Sequence, residues 1–270
     1  MKKVALITGA SAGIGKATVK LFLQDGYIVY GAARRVDKMQ DIAALGAKLL
    51  KMDVSDDASM VEGINTIVKN EGRIDVLVNN AGFGSYGTVE DVTIADARYQ
   101  LDVNLFGLAR LTQLVLPHMR EQHFGKIVNV TSIGGKIAMP LGGWYHASKH
   151  AVEGLSDSLR MEVKPFGIDV IVIEPGGIKT EWTGIAAESM KRVSGNTAYK
   201  SLVQKTIPMF DDAEEKGSDP ALIARLIKKA VTVNKPKARY SAGYMAAPIL
   251  FVKRWLGDAI FDKMIESRLK

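Results

Sequence analysis

The chain has 270 residues, 47% of them hydrophobic and 24% charged, which is enough for a large buried core in one or two domains. It contains no cysteine, which excludes disulfides, thiolate catalysis and cysteine-based zinc sites and is compatible with a reducing, cytoplasmic setting. The formal net charge of +7 is uneven: residues 1–215 hold 24 Lys and Arg against 25 Asp and Glu, and residues 216–270 hold 12 against 4. No recognised nucleic-acid motif accompanies the basic end, so no nucleic-acid partner is expected.

From the start, short apolar runs alternate with segments of helical spacing. The opening Met1-Lys2-Lys3 and its apolar run stop at Thr8-Gly9, too soon for a signal peptide, and read as a first strand. Strands are expected at residues 4–7, 28–30, 48–52, 76–78, 127–130 and 170–173. Helices are expected between them, as at 15–24, 59–69 and 97–119. Val152, Leu155, Leu159 and Val163 mark one helical face. Pro117 is expected to end or bend the helix that contains it. This alternation predicts an α/β fold: a single domain with a Rossmann-type, doubly wound parallel sheet and helices on both faces. No apolar stretch reaches the length of a membrane span.

Chemistry-bearing motifs fall where these strands end. Thr8-Gly9-Ala10-Ser11-Ala12-Gly13-Ile14-Gly15 follows the first strand and opens the first helix. Its glycines allow a tight turn and close backbone approach, and a helix N-terminus offers free N–H groups to phosphates. The second strand ends in Arg34-Arg35, where an acidic residue would favour NAD and arginine favours the 2′-phosphate of NADP; a solvated basic turn is the plainer reading. Asp53-Val54 ends the third strand, and Asp53 suits either an adenine contact or a helix cap. Asn79-Asn80-Ala81-Gly82 ends the fourth, where open parallel sheets bind ligands. Asn104, between apolar neighbours, reads as a helix-bending, water-binding or satisfied buried amide.

Residues 131–149 carry the reactive groups. Tyr145 and Lys149, four apart on a helix, share one face. An ammonium beside a phenol favours its ionised form, so the tyrosine could exchange a proton with a carbonyl oxygen or an alcohol. Ser132, at the end of the buried run Ile127-Val128-Asn129-Val130, could hold its hydroxyl toward the same oxygen. The pair alone would equally suit an ordinary exposed helix face. Four histidines occur, and His146 and His150 lie one turn apart; no His-Glu-x-x-His pattern frames them, so no metal is expected.

Taken together, and in this order, the motifs resemble those of the short-chain dehydrogenase/reductases over residues 1 to about 181. The resemblance rests on Thr8 to Gly15, Asn79 to Gly82, Asn104, Ser132, Tyr145-x-x-x-Lys149 and Pro175-Gly176-Gly177-Ile178-Lys179-Thr180. It implies an NADP(H)-dependent oxidoreductase acting on CH–OH and C=O groups. Tyr145 would be the acid/base, with its pKa lowered by Lys149, which would also bond the nicotinamide ribose. Ser132 would hold the substrate oxygen, and Asn104 would fix a water linking Lys149 to solvent. Gly9, Ser11, Gly13, Ile14, Gly15, Arg34, Arg35, Asp53, Val54, Asn80, Ala81 and Gly82 would cradle the cofactor. Pro175, Gly176, Ile178 and Thr180 would border the nicotinamide.

Phe83, Met139, Leu141, Trp144, Trp182 and Ile185 suggest an apolar pocket for a bulky small-molecule substrate, similar to steroid-, retinoid- or lipid-carbonyl members of the family. Residues 182–215 lack clean periodicity and read as a substrate lid. Residues 216–270 read as a basic helical extension with Met245, Ile249, Leu250, Phe251, Trp255, Leu256, Ile260 and Phe261 on its apolar face. Packed last helices with a solvated face are favoured there over peripheral membrane contact. In similar proteins the long helices near 97–119 and 150–163 are pairing surfaces, so the resemblance implies a homodimer or homotetramer. The alternatives are a nucleotide-sensing protein of the same fold without turnover, and a 3-oxoacyl-type reductase with an acidic carrier as partner.

Overall fold

Strands buried on both faces carry apolar residues without interruption, because helices cover each side of a parallel sheet. β1 (Val4–Thr8) and β5 (Gly125–Val130) show this directly, with every residue buried. The computed structural model describes residues 2–269. In chain order the described residues form β1, α1 (Gly13–Gln24), β2 (Ile28–Ala33), α2 (Gln40–Ala44), β3 (Lys48–Lys51), α3 (Asp57–Glu71) and β4 (Val76–Asn79). There follow α4 (Ile94–Leu101), α5 (Gly107–Glu121), β5, α6 (Gly143–Val163), β6 (Ile168–Pro175), α7 (Glu181–Ser194), α8 (Lys200–Glu215), α9 (Pro220–Thr232), β7 (Arg239–Ala242) and α10 (Ala246–Arg268).

The strands form one seven-stranded sheet in the order β3-β2-β1-β4-β5-β6-β7, with every pairing parallel. Alternate residues of β1 serve opposite faces. Ala5 and Ile7 join a core with Phe22 of α1 and with Ile223 and Ile227 of α9. Val4 and Leu6 join Ile64 and Ile67 of α3 and Leu111 and Val115 of α5. The chain works outward from β1 to β3, then returns to place β4 on the other side of β1. This order reverses at the β1–β4 junction, and a crevice opens there beyond the strands' C-terminal ends. Thr8 fastens the junction: its hydroxyl accepts the backbone N–H groups of Asn80 and Ala81, each at 3.0 Å.

Several expectations change. Pro117 does not end α5, which runs on to Glu121 because Val115 and Met119, on either side of it, are fully buried. The helix expected over 97–119 is α4 and α5 joined by one π turn, Asp102–Phe106. Residues 182–215, expected to be irregular, fall almost wholly in α7 and α8. Residues 216–270 are more than a helical extension, because β7 completes the sheet edge and α9 buries Ile223, Ile227 and Val231 in the core. The apolar face of α10 is packed only in part: Phe261 and Ile265 are buried, whereas Phe251, Trp255, Leu256 and Ile260 are exposed. Among the described residues no helix is long and apolar enough to cross a membrane.

Candidate active site

One cavity of about 1090 Å³ occupies the crevice and runs from the loop after β1 to the feet of α10. That volume exceeds the ~300–1,000 Å³ usual for a single small ligand.

At its β1 end, Gly9 (φ 67°) and Gly13 (φ 52°) take left-handed backbone conformations that side chains resist. The turn they make brings Ser11, Ala12, Gly13 and Ile14 to the wall, at the N-terminus of α1. Gly15 is not on the wall. A Cβ there would lie 2.3 Å from the Gly9 carbonyl oxygen, so its role is the close packing of α1 on the loop. Arg34 and Arg35 both reach the cavity. Arg34 donates to the Tyr99 hydroxyl at 2.8 Å and lies 3.9 Å from Asp53. Arg35 donates to the Ser11 hydroxyl at 3.3 Å and to Glu181 at 3.0 Å. Asp53 is not the helix cap: its carboxylate accepts the backbone N–H and hydroxyl of Ser55, while Asp56 caps α3. Asp53, Val54, Asn80, Ala81 and Gly82 all line the cavity. Glycine-cradled N–H groups, a hydroxyl and two guanidinium groups fit the phosphates of a nicotinamide dinucleotide.

Further along, Ser132, Tyr145 and Lys149 meet. Ser132 stands just beyond β5, where its hydroxyl accepts the Gly134 N–H at 3.0 Å and hydrogen-bonds the Tyr145 phenol. Tyr145 and Lys149 lie on one face of α6, with the ammonium 5.9 Å from the ring centroid. Lys149 Nζ donates to the Val130 carbonyl at 3.1 Å. The electrostatics correct one expectation. Burial pushes the Tyr145 phenol up to about 12, with the Ser132 hydrogen bond opposing it. Burial likewise pulls Lys149 down to about 8, against the pull of Glu153. Desolvation sets both directions, because the ammonium sits over the ring and bonds Val130 rather than the phenol oxygen.

Asn104 sits in the π turn, 2% exposed, and its amide is spent on structure. Its Nδ2 donates to Phe83 O at 2.9 Å and to Ser148 Oγ at 3.1 Å, and its Oδ1 accepts Phe83 N–H at 3.0 Å. The side chain thereby locks the loop after β4 to α6. Pro175, Gly176, Ile178 and Thr180 border the cavity after β6. That loop is pinned from the β7 side, with Gly176 N–H donating to Ala242 O and Gly177 N–H to Tyr244 O, both at 2.9 Å.

On the substrate side, Phe83, Met139, Trp182 and Ile185 line the cavity as expected, and Leu141 and Trp144 do not. The Trp144 indole N–H is buried without a partner. Tyr86, Met209, Phe210, Met245 and Ile249 are wall residues that sequence reasoning missed. Tyr86 lies 5.6 Å from Tyr145 and 5.2 Å from Phe210, ring centre to ring centre, and Trp182 lies 5.1 Å from Tyr145. His146 and His150 each turn Nδ1 to a backbone carbonyl, and among the described residues no group of three or more acidic or histidine side chains could hold a metal.

A serine, a tyrosine and a lysine gathered above a dinucleotide cradle match a known family. The short chain dehydrogenase family model covers residues 3–191. The chain belongs to this family. It is 36% identical over 259 residues to a 3-ketodihydrosphingosine reductase of Bacteroides thetaiotaomicron, covering 95% of this chain and 94% of the relative. It is 34% identical over 281 residues to an NADPH-dependent 3-dehydrocapnine reductase of Ornithobacterium rhinotracheale, covering 99% and 98%. Among solved structures, a short-chain dehydrogenase from Streptomyces avermitilis superposes with a TM-score of 0.83 at 32% identity, covering 98% of this chain and 96% of the other.

Proposed function

We propose that the protein is an NADP(H)-dependent reductase of long-chain, lipid-like ketones. The observation that carries this reading is the course of the cavity. It passes from a cradle holding Arg34 and Arg35, beneath Ser132 and Tyr145, into an apolar chamber walled by Met139, Trp182, Met209, Phe210 and Ile249. Two relatives named for 3-keto substrates, one of them also for NADPH, support it.

The nicotinamide would supply the hydride, and the protein positions the ketone and delivers one proton. Tyr145 gives its phenolic proton to the carbonyl oxygen as that oxygen gains negative charge. A phenol held up to about 12 is fully protonated at neutral pH, which suits a donor in the reducing direction. Ser132 holds the same oxygen by a hydrogen bond, so the ketone is oriented before transfer. Lys149, still largely protonated at pH 7, places a positive charge beside the phenolate that forms. The aromatic wall of Tyr86, Trp182 and Phe210 keeps water from the reacting carbon.

The test follows reduced-nicotinamide absorbance with NADPH and NADH across ketones graded from small and polar to long-chain and steroid-sized. Faster oxidation of NADPH with long-chain members is the expected result. Preference for NADH, or for small polar ketones, would overturn the reading. Binding of NADPH without any turnover would favour the sensing alternative.

A further inference from the structure

We propose that the elbow of the last helix docks on an anionic lipid bilayer, with the substrate chamber opening beside the docked surface. The inference goes beyond the reductase reading and does not depend on it.

α10 changes direction at Gly257 (φ 75°, ψ −178°), a backbone conformation reserved for glycine. Its halves then pack together: Ile249 and Val252 from the first share a cluster with Phe261, Met264 and Ile265 from the second, on Ile137. Met245 and Ile249 at the first foot, and Arg268 and Leu269 at the second, all line the chamber. The element is therefore a short projection rooted in the rim of the site.

Its outer end is apolar and bare. Phe251 is 58% exposed, Trp255 67%, Leu256 45% and Ile260 48%. With ~150–250 Å² for each large aromatic side chain and somewhat less for the aliphatic ones, the patch is on the order of 400 Å². A stable homodimer buries about 800 Å² on each partner, so a second copy of the chain would be poorly held by this surface. An interface between water and acyl chains suits it better, since a tip of four large side chains can insert without a complementary surface.

Charge points the same way. α10 itself carries Lys253, Arg254, Lys263 and Arg268 against Asp258, Asp262 and Glu266, a small cationic excess. At the elbow, the Arg254 guanidinium lies 5.3 Å from the Trp255 ring centre, an arrangement that sets a cation beside an interfacial tryptophan. Asp258, the acidic group nearest the bend, is paired with Lys253 at 2.5 Å. Each cation near an anionic surface adds about 1 kcal/mol of attraction.

The full-length protein would be sedimented with phosphatidylcholine vesicles, with and without phosphatidylglycerol, at low and high salt. The expected result is binding that needs the anionic lipid, weakens with salt, and falls about tenfold or more in the double variant Trp255→Ser/Leu256→Ser. Both side chains are exposed and neither lines the chamber, so the variant should keep its melting temperature. Three outcomes would overturn the proposal. The first is failure of the unaltered chain to sediment with anionic vesicles at low salt. The variant could bind as well as the parent. Analytical ultracentrifugation could instead reveal a dimer that the double variant abolishes, which would make the patch a self-interface. Sedimentation is read without turnover, so failure of the reductase reading leaves this test intact.

Discussion

Lys149→Met should give a more stable protein that no longer reduces ketones. The ammonium is buried on α6, and burial lowers its pKa from 10.5 to about 8. At about 1.4 kcal/mol per pH unit, keeping it charged costs about 3 kcal/mol at pH 7. Methionine fills similar volume without a charge. It leaves the Val130 carbonyl without its donor, a loss of about 1 kcal/mol, so the net gain at neutral pH is about 2 kcal/mol. The pH dependence is more diagnostic than the size. Below pH 8 the folded and unfolded parent both hold the proton, and the cost is fully present. Between pH 8 and 10.5 the unfolded chain keeps a proton that the folded chain has shed, so the parent gains stability as pH rises. The variant's advantage therefore shrinks across that window and ends as a deficit of about 1 kcal/mol, the lost hydrogen bond. Tyr145, held up to about 12, titrates in both proteins and cancels from the difference. Urea unfolding followed by circular dichroism between about pH 6 and pH 10 measures the effect. A variant less stable at every pH, or an advantage that does not change with pH, would refute the account of Lys149 as a strained buried charge.

Tyr145→Phe should lower the rate of NADPH oxidation by about 100- to 10,000-fold while leaving the KM for NADPH unchanged; a variant that kept its rate would remove Tyr145 from the proton step. Arg34→Ala with Arg35→Ala should raise the KM for NADPH by about 10- to 100-fold and barely move that for NADH, and an equal effect on both would reduce the arginines to surface charges. Asn104→Ala leaves the Phe83 and Ser148 partners unpaired, so it should cost about 1–3 kcal/mol in denaturant unfolding and lower kcat as the loop after β4 loosens; unchanged stability would mean water replaces the amide.

The sheet was largely legible because β1, β2, β4, β5 and β6 are buried on both faces and appear in the sequence as apolar runs. β7 was not, since Arg239-Tyr240-Ser241-Ala242 forms a half-exposed edge and its signal is diluted by the water on one side. Most residues of the crevice wall at the β1 end were legible for a related reason: they lie at a strand end or in the loop that follows it, so chain order nearly supplies spatial order. The chamber was less so. Tyr86, Phe210 and Ile249 come from three distant elements, and nothing in their local sequence records that they face Tyr145. Trp144 precedes Tyr145 in sequence and yet does not line the cavity, because neighbours on a helix diverge by about 100°. Spacing placed Tyr145 and Lys149 together correctly. It could not give the depth of their burial, and burial decides the direction in which both titrate.

That depth also bears on the acid one turn beyond Lys149 on α6. Glu153, one turn beyond Lys149, is the group that holds the lysine's pKa up. It is itself buried, and its carboxylate is satisfied by the Thr131 hydroxyl at 2.7 Å, Lys136 at 2.7 Å and Arg239 at 2.9 Å. Thr131 adjoins Ser132, and Arg239 begins β7, so one carboxylate ties the reactive turn to the sheet edge. Glu174, next to Pro175 and 3.5 Å from Arg239, is pushed up in pKa by its own burial and then by Glu153, with Lys136 and Arg239 opposing. Glu153 is the charged group of this cluster that acts on Lys149, and it opposes the loss of the ammonium's proton. A lysine at the same helical spacing without this support would lose its proton more readily, and with it the charge that Tyr145 needs when its own proton leaves.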